Sequence, residues 1–223
     1  MRQQYILFDL DGTLTDPQEG ITRCAACALA HFGICVEDLH TLDNFIGPPL
    51  LYSFQTYHHL SQEDAYEAIR LYRDRYARIG WLENIPYPGI GEMLLSLTQA
   101  GKTLLVATSK PEEFAVQILE HFGLAKYFSQ ICGAPMDEKV HSTKALVIQD
   151  ALRRGKIEDL SDVIMVGDRE HDVLGAHECG IPAIGVLYGY GSREEHESCG
   201  ADYIAATIPE LSALLQTPKI KKG

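Results

Sequence analysis

The chain has 223 residues, 46% hydrophobic and 22% charged, a balance that fits a globular fold of one large domain or a domain carrying an insert. The formal net charge of -12 argues against a nucleic-acid polymer or an acidic membrane surface as partner, because either would need a basic face. No apolar stretch approaches the length of a membrane span, and no basic segment followed by an apolar one opens the chain, so neither a membrane anchor nor a signal peptide is expected.

The first element is the apolar run Tyr5-Ile6-Leu7-Phe8, which predicts a buried strand. It ends in Asp9-Leu10-Asp11-Gly12-Thr13. Alternation along extended backbone puts both carboxylates on one side where the strand ends, and Gly12 permits a sharp turn. Two acids beside an apolar strand cost free energy unless a metal, a cation or hydrogen bonds neutralise them.

From about residue 16 the pattern turns helical. Ile21, Cys24, Ala28, Leu29 and Phe32 recur at helical spacing, and Gly33 can end that helix. Cys24 and Cys27 form a C-x-x-C pair. No second pair or nearby histidine completes a zinc site, and both are expected to be core thiols on the apolar helix face. The six cysteines are scattered, which fits reduced thiols in a cytoplasm. Asn44-Phe45-Ile46-Gly47-Pro48-Pro49-Leu50 reads as a loop. Ser61-Gln62-Glu63-Asp64 resembles a capping box with Asp in place of Glu, and it opens a helix whose Ala65, Ile69, Tyr72, Tyr76 and Ile79 form an apolar core stripe. Pro86-Tyr87-Pro88-Gly89 breaks the pattern, so residues 16–84 read as an all-helical insert.

Strands and helices then alternate. A helix runs from Ile90 to Ala100, then a strand, Thr103 to Ala107, runs into Thr108-Ser109-Lys110. Glu112 to Phe122 is a helix, Phe128 to Gly133 a strand, and Ser142 caps a helix reaching about Arg154. Val163 to Val166 is a strand ending in Gly167-Asp168, followed by a helix to Cys179. Ala183 to Val186 and Tyr203 to Ala205 are the last strands. Pro209 starts the final helix, and Thr217 to Gly223 forms a short basic end expected to fray.

Such alternation predicts an α/β fold: a Rossmann-like parallel sheet with helices on both faces, built from residues 1–15 and 85–223. Ligands of such sheets sit beyond the carboxyl ends of the strands. Three apolar strands run directly into polar residues there: Asp9 and Asp11, Thr108 and Ser109, and Asp168.

The segments Asp9-Leu10-Asp11-Gly12-Thr13, Val106-Ala107-Thr108-Ser109-Lys110, Ser142-Thr143-Lys144 and Gly167-Asp168-Arg169-Glu170-His171-Asp172 resemble, in order, the four signatures of the haloacid dehalogenase superfamily. Most members of that superfamily are phosphatases. The resemblance implies Asp9 as nucleophile and Asp11 as general acid and base. It implies a Mg²⁺ ion held by Asp9, the backbone carbonyl of Asp11, and Asp168, with Asp172 binding directly or through water. Hard oxygen donors of this kind suit Mg²⁺ better than a soft metal. Phosphate binding is implied for Thr108 and Lys144, and for Ser109, where the family usually has Asn. Sequence alone would leave Lys144 on the surface, and Lys139 is a weaker competitor for its role. His171 is expected to be exposed or to act behind the metal ligands. The 16–84 insert stands where the family carries a helical cap, so substrate selection is expected at Phe45, Ile46, Gly47 and Pro48.

The chain is most similar to the phosphoglycolate phosphatase-like group, and Gly167 to Asp172 with Gly185 to Gly191 resemble its 5'-nucleotidase-like branch. The expected activity is Mg²⁺-dependent hydrolysis of a small phosphorylated metabolite through an aspartyl phosphate. A 5'-nucleotidase is the alternative, followed by a sugar phosphomutase and a non-catalytic binding protein of the same fold. A monomer or homodimer in the cytoplasm is expected.

Overall fold

The computed structural model describes residues 3–137 and 142–216. Lys139 and the basic stretch from Thr217 to Gly223 lie outside the described residues. The chain divides into two compact units, Met1–Thr15 with Pro86–Gly223, and Asp16–Ile85.

In chain order, strand β1 (Tyr5–Phe8) opens the first unit. The second unit is inserted after it and holds helices α1 (Gln18–His31), α2 (Leu50–His58) and α3 (Gln62–Tyr76). Return to the first unit brings α4 (Ile90–Gln99), β2 (Thr103–Pro111), α5 (Glu112–His121), β3 (Phe128–Ala134), α6 (Lys144–Arg154), β4 (Val163–Gly167) and α7 (Glu170–Glu178). The chain then adds β5 (Ala183–Val186), α8 (Arg193–Ser198), β6 (Tyr203–Ala205) and α9 (Ile208–Gln216).

The strands pair in parallel in the order β3-β2-β1-β4-β5-β6. Parallel sheets bury both faces, which is why their strands read as unbroken apolar runs. Ile6, Leu7 and Phe8 of β1 are fully buried, as are Leu105 to Ala107 of β2 and Val163 to Val166 of β4. Leu7, Leu105 and Met165 pack against Val147, Ile148, Ala151, Val173 and Ala176 of α6 and α7 in one core cluster. Phe8 points the other way and meets Phe128 edge-on at 6.3 Å.

This order places a topological switch at β1. The chain adds β2 and β3 on one side, then crosses back to add β4, β5 and β6 on the other. The carboxyl ends of β1, β2 and β4 therefore flank the crevice where doubly wound sheets bind ligands.

The helical unit has its own core, which includes Ile21, Cys24, Ala28, Leu29, Phe54, Ala65, Ile69, Tyr72 and Tyr76. Two glycines let its backbone segments approach closely: a Cβ at Gly20 would overlap the Gly80 carbonyl, and one at Gly80 would press on Cys24. Arg75 pairs with Glu83 through both guanidinium nitrogens (2.7 and 2.9 Å). Ser61 accepts the Asp64 N–H at 3.1 Å and so caps α3, but the reciprocal bond of a capping box is replaced: the shorter Asp64 carboxylate accepts the Ser61 hydroxyl at 2.7 Å where a Glu would reach the backbone N–H.

Several local expectations are corrected. Cys24 is buried but Cys27 is exposed, because three residues rotate it off the centre of the buried stripe. Ile79 lies beyond the end of α3 and is 47% exposed, since helical spacing no longer governs a residue outside the helix. The N-cap of α6 is Thr143, not Ser142: its hydroxyl accepts the Leu146 N–H at 3.3 Å, so Lys144 is the first residue of the helix. Strand β2 continues to Pro111, because a register shift between Thr108 and Pro111 lets it stay paired with β3.

Candidate active site

Backbone bonds fix the end of β1. The Asp9 N–H donates to the Val166 carbonyl at 2.9 Å, tying Asp9 to β4. The next residues turn at once: Leu10 accepts the N–H groups of Thr13, Leu14 and Thr15 at 3.2, 2.8 and 3.0 Å. Gly12 sits at φ 76°, and a Cβ there would overlap the Asp168 carboxylate. Glycine is needed both for the turn and for the closeness of Asp168.

Carboxylate oxygens of Asp9, Asp168 and Asp172 lie within 4.8 Å of one another, and all three residues are buried. Asp172 is in the first turn of α7 and also receives the Arg169 N–H at 3.1 Å. Asp168 accepts the Tyr190 N–H on Oδ2 at 2.9 Å, while its buried Oδ1 has no hydrogen-bond partner. The loop after β5 packs directly on this acid, since a Cβ at Gly189 or Gly191 would overlap Asp168.

Lys144 enters from the start of α6 and is 6% exposed. Its Nζ lies 2.9 Å from Asp9 Oδ1 and 2.7 Å from Asp172 Oδ1, and donates to the Ala107 carbonyl at 3.2 Å. Gly175 of α7 makes room, because a Cβ there would strike the Lys144 side chain. Burial opposes the lysine's charge, but Asp172 and Asp9 outweigh it and hold its pKa above the usual value.

The carboxylate of Asp11 stands apart from the three clustered acids and pairs with Lys110, Nζ to Oδ2, at 2.5 Å. Burial raises the Asp11 pKa, and Lys110 works against that rise. Asp168 is pushed well above the ordinary 3.8, first by burial and then by Asp172 and Asp9. Asp172 is raised in the same direction by burial, with Lys144 opposing.

Thr108 is buried at the same crevice, and its hydroxyl accepts the Lys110 N–H at 3.2 Å. Ser109 and His171 are exposed. In the helical unit Phe45 and Ile46 are buried in that unit's own core, whereas Gly47 is exposed with φ 104°. Sequence reasoning gave no role in the site to Lys110, read only as the end of its signature, or to the Gly189–Gly191 loop, read only as a branch resemblance. The signal for Lys110 was its place one residue after two polar residues already noted at a strand end.

The donor set fits a hard divalent cation. Four carboxyl groups share two ammonium partners, and the buried Asp168 Oδ1 has no hydrogen-bond partner. Clustered carboxylate oxygens of this kind suit hard divalent cations as a class.

Residues 6–186 match the family model described as haloacid dehalogenase-like hydrolase. The chain belongs to the haloacid dehalogenase-like hydrolase family. A Pseudomonas aeruginosa protein named 5'-nucleotidase is 41% identical over 217 residues, 97% of each chain. A Mycobacterium tuberculosis protein named tyrosine-protein kinase PtkA is 39% identical over 95% of this chain and 72% of its own. A Vibrio parahaemolyticus phosphoglycolate phosphatase is 33% identical, covering 92% of this chain and 93% of its own. The crystal structure of a predicted phosphatase from Clostridium acetobutylicum superposes with a TM-score of 0.91 at 48% identity, covering 96% and 99% of the two chains. Within the haloacid dehalogenase-like family the chain is thus a phosphatase, a phosphoric monoester hydrolase. None of the described helices is long and apolar enough to cross a membrane.

Proposed function

We propose that the protein is a Mg²⁺-dependent phosphomonoesterase that hydrolyses a small phosphorylated metabolite through an aspartyl phosphate on Asp9. One observation carries this reading: Asp9, Asp168 and Asp172 converge within 4.8 Å at the switch point, with Lys144 bridging Asp9 and Asp172.

Asp9 attacks phosphorus, and Asp11 gives a proton to the leaving oxygen. Asp11 then takes a proton from the water that hydrolyses the aspartyl phosphate. Thr108 and Lys144 supply donors to the phosphoryl oxygens, where negative charge is greatest. Mg²⁺ held by Asp9 and Asp168, with Asp172 in reach, would supply neutralising charge between the nucleophile and an anionic phosphate. The bridge from Lys144 keeps Asp9 oriented while its charge is lowered.

Two substrate classes share this chemistry. A phosphoglycolate-like substrate has a relative with that name, and the relative of higher identity favours a nucleoside 5'-monophosphate. We assign residues 16–84 the role of a cap that selects the substrate. Because Phe45 and Ile46 are committed to that unit's core, the selecting positions narrow to Gly47 and Pro48.

A panel of phosphoglycolate, nucleoside 5'-monophosphates and hexose phosphates, assayed with Mg²⁺ for free phosphate, tests the proposal. EDTA-sensitive release on one class, lost in Asp9→Asn, supports it. Isomerised sugar phosphate without release would make it a mutase. Transfer from ATP to tyrosine without release from any monoester would move it to the activity named for the mycobacterial relative.

A further inference from the structure

Every buried charge at the site is matched to a role except one, the ammonium of Lys110. Its side chain is 6% exposed, its partner Asp11 is 14% exposed, and 99 residues of chain separate the two. A buried ammonium is costly unless it is paired, so the contact is a strong restraint on both groups. Lys144 does not take its place, because that nitrogen pairs with Asp9 and Asp172, whereas the ion pair to Asp11 comes from Lys110. Lys110 is held in turn: its own N–H is bonded to the Thr108 hydroxyl, and its backbone belongs to β2. Asp11 Oδ2 is taken by Lys110, whereas Oδ1 is buried with no hydrogen-bond partner.

We infer that Lys110 is the positioning residue for the general acid: it occupies Asp11 Oδ2 and so selects Oδ1 as the oxygen that faces the leaving group. The inference rests on the phosphatase reading above. As the P–O bond to the leaving group breaks, its electron pair stays on the leaving oxygen, and that oxygen takes the proton from Asp11 Oδ1. The phosphoryl group passes to Asp9. Lys110 keeps its protons throughout and touches neither phosphorus nor the leaving group.

A lysine that acts only through the general acid leaves a particular kinetic trace. Protonation matters for alkyl leaving groups and far less for p-nitrophenolate, which departs as the anion. The test measures kcat/KM of wild type, Lys110→Met and Asp11→Asn on phosphoglycolate, adenosine 5'-monophosphate and p-nitrophenyl phosphate with saturating Mg²⁺. Lys110→Met is expected to lose about 100-fold on the better alkyl ester, within the range for general acid catalysis. Its loss on the aryl ester is expected to be at least about tenfold smaller, as for Asp11→Asn. Adding Lys110→Met to Asp11→Asn should cost nothing further on the alkyl ester. Inhibition by inorganic phosphate should be unchanged, because Lys110 does not hold the phosphoryl group.

Equal losses on all esters, or weakened inhibition by phosphate, would make Lys110 a phosphate ligand and overturn the inference. Wild-type-like kinetics in Lys110→Met would overturn it too. If Lys110→Met does not fold, Lys110→Gln is read the same way. Failure of wild type on every ester would sink the phosphatase reading and this role with it. Turnover by wild type with uniform loss in the variant would sink this role alone.

Discussion

The backbone N–H of Tyr190 donates to Asp168 Oδ2 at 2.9 Å, so the other carboxylate oxygen, Oδ1, is buried without a hydrogen-bond partner. The loop after the neighbouring strand β5 thereby decides which oxygen of a buried acid is free. The same loop approaches Asp168 so closely that Gly189 and Gly191 tolerate no Cβ. An oxygen left bare in this way, beside Asp9 and Asp172, is costly unless something positive occupies the gap.

Metal-dependent stability follows. Asp168 and Asp172 have folded pKa values above the ordinary 3.8, chiefly because burial disfavours the anions. For such groups the folded state binds more protons than the unfolded state once the pH exceeds 3.8. Their contribution to the stability of the metal-free protein therefore falls as the pH rises through that range and is lowest above the raised values. Mg²⁺ at neutral pH should reverse the loss, raising Tm by about 5–10 °C at a hundredfold excess over Kd. Asp168→Asn should stabilise the metal-free protein and remove the Mg²⁺ response. Differential scanning fluorimetry with Mg²⁺ or EDTA reads both. An undiminished Mg²⁺ shift in Asp168→Asn would place the ion elsewhere.

Lys144 compensates two buried acids at once, so its loss should be structural as well as catalytic. In metal-free protein, Lys144→Met should cost about 3 kcal/mol, the size expected when a buried ion pair loses one partner. Urea unfolding measures it. Adding Asp172→Asn should recover part of that loss, since one stranded anion is then gone. No recovery in the double variant would show that the two side chains do not interact as the 2.7 Å contact implies.

Gly12 and Gly101 form a matched pair of tests. Both have positive φ, 76° and 79°, but a Cβ at Gly12 strikes Asp168 whereas one at Gly101 meets nothing within 4 Å. Gly101→Ala should cost about 1–2 kcal/mol of stability and leave Mg²⁺ affinity intact. Gly12→Ala should add a loss of Mg²⁺ affinity of at least about tenfold, by displacing a ligand. Equal Mg²⁺ titrations of the two variants, followed by thermal shift, would contradict the role given to Asp168.

His196 is fully buried against the same loop, and its Nε2–H donates to the Val186 carbonyl at 3.2 Å. Burial lowers its pKa below 6.5. For a base depressed in the folded state, the unfolded chain binds the extra proton. Its contribution is therefore complete above 6.5 and shrinks as the pH falls from there toward the folded pKa. His196→Gln should flatten the decline of Tm on the acid side of 6.5 relative to wild type. Parallel curves for the two proteins would show that His196 titrates normally.

The parts of the site legible in the sequence are those set by strand ends. Asp9, Asp11, Thr108 and Asp168 each follow an apolar run, and the sheet order brings those runs together. Lys144 was not legible that way: a lysine at a helix start looks solvated, and only the family resemblance singled it out. Lys110 was hidden because its partner lies 99 residues away and no local pattern encodes that distance. Tyr190 contributes through its backbone, which residue identity does not reveal. The one-residue error at the α6 cap arose because Ser142 and Thr143 are both good caps, and only the hydroxyl that reaches Leu146 decides between them.

The most direct test of the account is acid-quenched mass spectrometry of the protein during turnover of p-nitrophenyl phosphate with Mg²⁺. A single phosphoryl adduct is expected on the peptide containing Asp9, released by hydroxylamine and absent in Asp9→Asn, which should also have lost phosphate release. Phosphate release that persists in Asp9→Asn, or steady turnover with no adduct on that peptide, would contradict it.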